Sequence, residues 1–267
     1  ASDVPVVSSP LPNLAVARDS AVTAIDLRNH FAVPSISGPL VRFRTSMGNY
    51  NLELFPSAAP VTVSNFFNYV NSGRYATSIV HRVDTGLGVI QGGGYILPIP
   101  PVRMSNDAPI ILEYNLPNTR GTISMARTAS PNSATSEWFI NTDDNTSSLG
   151  QANGGGYAVF GRVTGGGMAT VDAIAALPVW NFGTPFGQLP LIAYPGSGTV
   201  YDSNTVAVLS ADAIPMFPST PAQTSLVTFA VSNSNPALLS ASVSASALQL
   251  ILTPGQVGQA DLAVSAT

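Results

Sequence analysis

The chain has 267 residues, enough for one large domain or a medium domain with a small companion, and only 9% of them are charged against a usual level of about a quarter. All ten cations are arginine, the net charge is −4 and no basic run occurs, which excludes a nucleic-acid backbone partner. The absence of cysteine excludes disulfides and thiolate chemistry, and His30 and His81 as the only histidines exclude a multi-histidine metal site, so neither metal nor cofactor is expected.

Residues 1–38 are rich in Pro, Ser, Ala and Val, with one extended piece around 22–27, and read as an N-terminal arm. The abundance of Ser, Thr, Ala, Asn and Gly without cysteine fits a protein exported from a bacterium, periplasmic or extracellular, and a start at Ala1 fits a leader removed or left out. No run approaches the roughly 18 apolar residues of a membrane-spanning helix. From Leu40 the alternation Val41-Arg42-Phe43-Arg44-Thr45, a Met47-Gly48-Asn49 turn and the stretch 50–55 predict a hairpin. A helix is expected next, with Pro60 in its first turn, Val63, Phe66, Phe67 and Val70 on one face, and Gly73 as its stop.

Short strands are predicted at 78–83, 88–91, 121–126, 137–141 and 158–163, separated by Gly, Pro, Asn and Asp clusters. A second amphipathic helix is predicted over 168–177, ended by Pro178, and a last strand of this body at 205–210. The body so delimited runs from 39 to 212. From 213 to 267 the composition shifts to Ser, Ala, Val and Pro, with Phe217 and Phe229 the only aromatics, and four strands are predicted at 226–231, 239–243, 248–253 and 260–264. This small all-β module resembles the immunoglobulin-like repeats of bacterial surface proteins. It has no tryptophan or tyrosine platform for carbohydrate.

Several motif candidates reduce to turns. Thr142-Asp143-Asp144-Asn145-Thr146 lacks the glycine and final glutamate of a calcium loop. The triplets Gly92–Gly94, Gly154–Gly156 and Gly165–Gly167 lack the Lys-Ser/Thr of a phosphate cradle and read as tight turns and bulges.

A string of segments does carry a resemblance: Leu52-Glu53-Leu54-Phe55, Ala59-Pro60-Val61-Thr62-Val63-Ser64-Asn65-Phe66, His81-Arg82-Val83, Val89-Ile90-Gln91-Gly92-Gly93-Gly94, Arg120-Gly121-Thr122-Ile123-Ser124-Met125-Ala126-Arg127, Ser136-Glu137-Trp138-Phe139-Ile140-Asn141 and Gly156-Tyr157-Ala158-Val159-Phe160-Gly161-Arg162-Val163. In this order the segments, spanning about 40–211, resemble the cyclophilin family of peptidyl-prolyl cis/trans isomerases. The resemblance implies a mainly β fold, a closed eight-stranded antiparallel barrel capped by two helices, followed here by a small β-sandwich-like module. It also implies an isomerase of X-Pro bonds that assists the folding of exported proteins, as a monomer whose partners are proline-containing peptides and unfolded or exported chains. The competing expectation is a binding or structural surface protein that keeps the fold with weak or no catalysis.

By the same resemblance Arg82 is the catalytic side chain and His81 a supporting one. Taken alone, Arg82 reads as one of ten surface arginines. Phe139, Val89, Leu149 and Tyr157 are expected to wall a proline pocket, with Ala126, Arg127, Gln91 and Glu137 around the peptide; Phe139 also admits a plain core reading. Three departures stand out. The stretch between Arg82 and Gln91 is one residue longer than the family pattern and lacks an aromatic before Val89, a gap that Leu87 is placed to fill. Glu137 replaces the usual glutamine, and as a neighbour of Arg82 it would either orient the guanidinium or compete with substrate for it. The Thr146-Ser147-Ser148 region before Leu149 lacks the tryptophan that cyclosporin binding uses in many relatives, which argues against cyclosporin binding.

Overall fold

The structure is a computed structural model that describes residues 3–20, 23–214 and 227–267. The chain forms two compact units, one of residues 38–214 and one drawn from 1–37 and 215–267. The latter contains β1 (Val6–Val7) paired with β3 (Phe31–Ala32), and β2 (Thr23–Asp26), which adds to the tail strands.

In the larger unit β4 (Leu40–Thr45) and β5 (Gly48–Leu54) form the expected hairpin, although its turn falls at Ser46 and Met47 because Gly48 already pairs with Thr45. Helix α1 (Pro60–Asn71) starts on proline and buries Val63, Phe66 and Val70, while Phe67 stays partly buried. Ala59 gives its N-terminus no side-chain cap. Glu113 supplies one from a distance, its carboxylate accepting from Val61 N at 3.1 Å and Thr62 N at 2.8 Å. There follow β6 (Ser78–Asp84), β7 (Val89–Ile96), β8 (Val102–Arg103), β9 (Thr122–Met125), β10 (Trp138–Asn141), β11 (Val159–Thr164), α2 (Met168–Ala175), β12 (Val179–Trp180), β13 (Leu189–Pro190) and β14 (Val208–Ile214).

The main sheet runs β14-β4-β5-β11-β9-β10-β7-β6, antiparallel throughout, with β8 paired to β7 off this path. It curls around one core in which Phe43, Tyr50, Phe66, Tyr75, Trp138 and Phe160 are buried, and both helices bury residues in that core. The closed eight-stranded barrel is corrected to an open, curled sheet. Its end strands meet only at the Ile79–Ala207 bridge and the bonds from Thr77 N to Val208 O and Val80 N to Val206 O. The chain around 188–192 takes the positions a further ladder would use: Gln188 O accepts from Val83 N at 2.9 Å and Leu191 bridges Thr205.

In the second unit β15 (Phe229–Asn233) pairs with β18 (Leu262–Ala266), while β16 (Leu239–Ser244), β17 (Ala247–Leu252) and β2 form a three-stranded sheet. Leu27, Phe31, Leu239, Leu248 and Leu250 make its core. Four tail strands are thus present near their expected positions. Val22, Phe217 and Leu226, named in those expectations, lie outside the described residues.

Candidate functional site

The period of two along a strand decides which side chains meet on the sheet's outer face. Arg82 on β6 pairs with Gln91 on β7, and Gln91 pairs with Phe139 on β10, so these three stand in one row across three strands. Asp84 and Val89, two residues along from Arg82 and Gln91, pair with each other and continue the same face. The alternate residues Val83, Ile90, Trp138 and Ile140 enter the core. Between Val80 and Arg82 the β6–β7 register shifts, leaving His81 as the extra residue of a bulge. Its ring lies edge-on to Tyr95 at 5.0 Å.

An open pocket of about 400 Å³ results. All eleven residues named from the sequence line it: His81, Arg82, Leu87, Val89, Gln91, Ala126, Arg127, Glu137, Phe139, Leu149 and Tyr157. Tyr95, Arg103 and Pro185 join them. One end is apolar, where Val89, Phe139 and Leu149 are buried together with Leu87, Ala126 and Tyr157 packed on them, in a cluster separate from the main core. Phe139 is therefore a wall of the pocket rather than part of the main core. Tyr157 meets it edge-on at 5.6 Å and carries the Arg127 guanidinium on its ring at 4.4 Å.

Arg127 lines the pocket with its donors already engaged. Its guanidinium donates to the carbonyls of Thr128, Gly154 and Gly156, each at 2.8–2.9 Å, so it fixes the loop that holds Tyr157. Asn118, fully buried, supports the same wall from behind: its amide donates to Tyr157 O at 3.2 Å and its carbonyl accepts from Ser124 Oγ at 2.7 Å.

The Arg82 guanidinium is held on three sides. Nε donates to Gln188 Oε1 at 3.0 Å, Nη1 to Gln91 Oε1 at 3.1 Å, and Nη2 to Asp84 Oδ2. A guanidinium carries five N–H groups, so two remain unengaged by the described residues. The carboxylate beside it is Asp84. Glu137, expected there, instead accepts from Gln91 Nε2 at 2.8 Å and Arg103 Nη2 at 2.9 Å and lies 3.5 Å from His81 Nε2. The misplacement has a plain cause: residue 137 precedes β10, one residue before the core-facing Trp138, and reaches Arg82 only through Gln91.

A carboxylate only accepts hydrogen bonds, so Glu137 forces Gln91 to turn its amide NH2 toward itself and its carbonyl toward Arg82. Substituting Glu137→Gln frees both amides to turn over. A protease-coupled prolyl assay is expected to give a few-fold lower kcat/KM, the scale of one hydrogen bond of ~1 kcal/mol. A raised rate would instead favour competition with substrate, one of the two alternatives that the sequence left open.

Burial pushes the Glu137 carboxyl upward, but the His81, Gln91 and Arg103 contacts outweigh it and hold it below its ordinary value of 4.5. A carboxyl depressed in the folded state adds stability above its unfolded value, and that stability is lost as pH falls through the folded value. The wild type should therefore lose stability on acidification through this range more steeply than Glu137→Gln, as read by urea denaturation at successive pH values. Parallel pH profiles for the two would contradict it.

The sequence left Tyr95, Arg103, Asp84, Gln188, Pro185 and Asn118 unassigned. Only Asp84 had a usable signal, its spacing of two from Arg82 just past the strand predicted to end at residue 83, which the structure extends to Asp84.

The family model of the cyclophilin type peptidyl-prolyl cis-trans isomerase matches residues 40–191. The chain is 40% identical over 151 residues to a peptidyl-prolyl cis-trans isomerase of Acinetobacter baylyi, covering 56% of this chain and 78% of that protein. It is 44% identical over 156 residues to peptidyl-prolyl cis-trans isomerase A of Dickeya dadantii, covering 56% and 77%. A solved cyclophilin type isomerase from Cryptosporidium parvum aligns with a TM-score of 0.49 and 22% identity, over 66% of this chain and 98% of that one.

Proposed function

Since the chain belongs to the cyclophilin-type peptidyl-prolyl cis-trans isomerase family and is a peptidyl-prolyl isomerase, we propose that Arg82 is its catalytic residue and that the apolar end of the pocket receives the proline ring. An X-Pro bond turns over a barrier of about 18–20 kcal/mol because its amide has partial double-bond character. Rotation pyramidalises the prolyl nitrogen, and a fixed cationic donor aimed at that nitrogen or the adjoining carbonyl stabilises the twisted amide more than the planar one. Arg82 is such a donor. Its guanidinium is always charged and is held rigidly at three corners, which leaves little reorganisation for the moment of rotation.

Val89, Phe139, Leu149 and Leu87 offer the ring an apolar seat, and Tyr157 stands at its rim with its hydroxyl available to a peptide carbonyl. His81 supports the site through its contacts with Glu137 and Tyr95. The observation that carries this reading is the shared row of Arg82, Gln91 and Phe139, which sets a cation beside an aromatic wall in one pocket. The protease-coupled assay on an Ala-Pro peptide tests it: an Arg82→Ala variant that keeps the wild-type rate, or a wild type no faster than buffer, would refute it.

We further propose that its clients are exported proteins, that it acts as a monomer, and that the immunoglobulin-like tail strands serve as a spacer or adhesion element. The lysine-free, cysteine-free, weakly charged composition supports the export reading. Immunolocalisation to the cytosol would overturn it, and light scattering decides the monomer.

A further inference from the structure

The turn between β6 and β7, longer by one residue than the family pattern, is built around one carboxylate. Asp84 Oδ1 accepts from the backbone N–H groups of Gly86 and Leu87, each at 3.0 Å, and Oδ2 accepts from Arg82 Nη2. Gly88 N closes the turn on Asp84 O at 2.8 Å. The side chain is 18% exposed. One oxygen thus fixes the segment that carries Leu87 into the pocket, and the other fixes the plane of the guanidinium.

We propose that Asp84 is a positioning residue for the isomerase, coupling the orientation of Arg82 to the placement of the Leu87 wall. The proposal rests on the assignment of Arg82 as the catalytic residue. Geometry follows from the strand: residues 82 and 84 share the outer face, and the carboxylate reaches Arg82 from below the turn while Gln91 and Gln188 hold the other nitrogens. With three corners fixed, the two unengaged N–H groups keep a constant direction. Losing the Nη2 corner lets the fork swing about the remaining contacts, and a displaced donor stabilises the twisted amide poorly.

The two oxygens are separable by substitution. In Asp84→Asn the side-chain carbonyl can keep the turn by accepting from Gly86 and Leu87, while its NH2 presents a donor to a donor at Arg82. In Asp84→Ala both functions go. With kcat and KM separated by NMR exchange measurements on an Ala-Pro peptide, Asp84→Asn is expected to lower kcat about tenfold with KM within about twofold of wild type. Asp84→Ala is expected to lower kcat similarly and also raise KM, since Leu87 is released. Thermal melting of each variant separates these effects from unfolding.

A purely structural role predicts that Asp84→Asn also lowers activity in an Arg82→Ala background. The positioning role predicts no further loss there. An Asp84→Asn variant with wild-type kcat, with raised kcat, or with an additive loss in that background overturns the proposal. An inactive wild type overturns the assignment of Arg82 instead.

Discussion

Arg82→Ala is expected to lower kcat/KM toward an Ala-Pro peptide by about 10²–10³-fold, the usual loss when one preorganised donor is removed from a developing charge. The fold should survive. The Arg82 side chain is 36% exposed, and its three partners have other recourse: Asp84 keeps the backbone donors of Gly86 and Leu87, Gln91 keeps Glu137, and Gln188 keeps its main-chain bond to Val83. Urea denaturation is therefore expected to shift by no more than about 1 kcal/mol. Arg82→Lys should recover little of the rate, because a single ammonium on a flexible stem cannot span Gln188, Gln91 and Asp84 at once while also facing the substrate. Activity of the alanine variant within tenfold of wild type would move the catalysis from the guanidinium to the apolar seat, where desolvation of the amide would have to suffice.

The helices and the site residues were legible for different reasons. Val63, Phe66 and Val70 recur at helical spacing behind a proline, so the start and face of α1 follow from local pattern alone, and the structure buries these three. The pocket residues come from segments far apart in sequence, and their meeting was readable only through the ordered set of family-like segments. What stayed hidden depends on partners chosen by the fold. Gln188 reaches Arg82 across 106 positions, and Arg103 reaches Glu137 across 34, distances at which spacing carries no information. Glu113 capping α1 is another such case, since nothing in its own surroundings marks it as a helix cap. The open edge of the sheet was equally unreadable: the 188–192 segment, to which the sequence assigned no element, competes for the hydrogen bonds that a closed barrel would use. The pairing of β2 with β17 joins residues more than two hundred positions apart, which local alternation cannot foretell.

The glycines before β10 bear on the second large effect. The triplet Gly92–Gly94, read from sequence as turns and bulges, lies within β7 where its register against β6 shifts between Gly92 and Ile96; Gly92 and Gly93 lie on the Trp138 indole and Gly94 on the Glu137 side chain. A Cβ at Gly92 would stand 2.7 Å from Trp138 Cζ2, and one at Gly93, where φ is +77°, 2.6 Å from Ser136 O and 2.9 Å from the indole. Trp138 itself is fully buried and edge-on to Phe43 at 5.4 Å. Trp138→Ala is accordingly expected to cost about 3–5 kcal/mol of stability in urea denaturation, from lost burial and the cavity left behind. Trp138→Phe should cost less, because the indole Nε1 is buried without a protein partner and its removal relieves an unsatisfied donor.

The sharper measurement pairs the two sites. Gly92 does not need positive φ, so Gly92→Ala probes space rather than backbone conformation. It should destabilise the wild type, yet cost much less in a Trp138→Ala background, where the atoms it would strike are gone. A positive coupling of that kind would make the glycine at 92 a consequence of the tryptophan. It would also tie stability to function, because Trp138 and Phe139 are consecutive residues of β10 on opposite faces, and a strand that shifts to fill the cavity carries the pocket wall with it. Equal costs in both backgrounds would instead locate the penalty in the β6–β7 bulge, and the indole would then be one core residue among many.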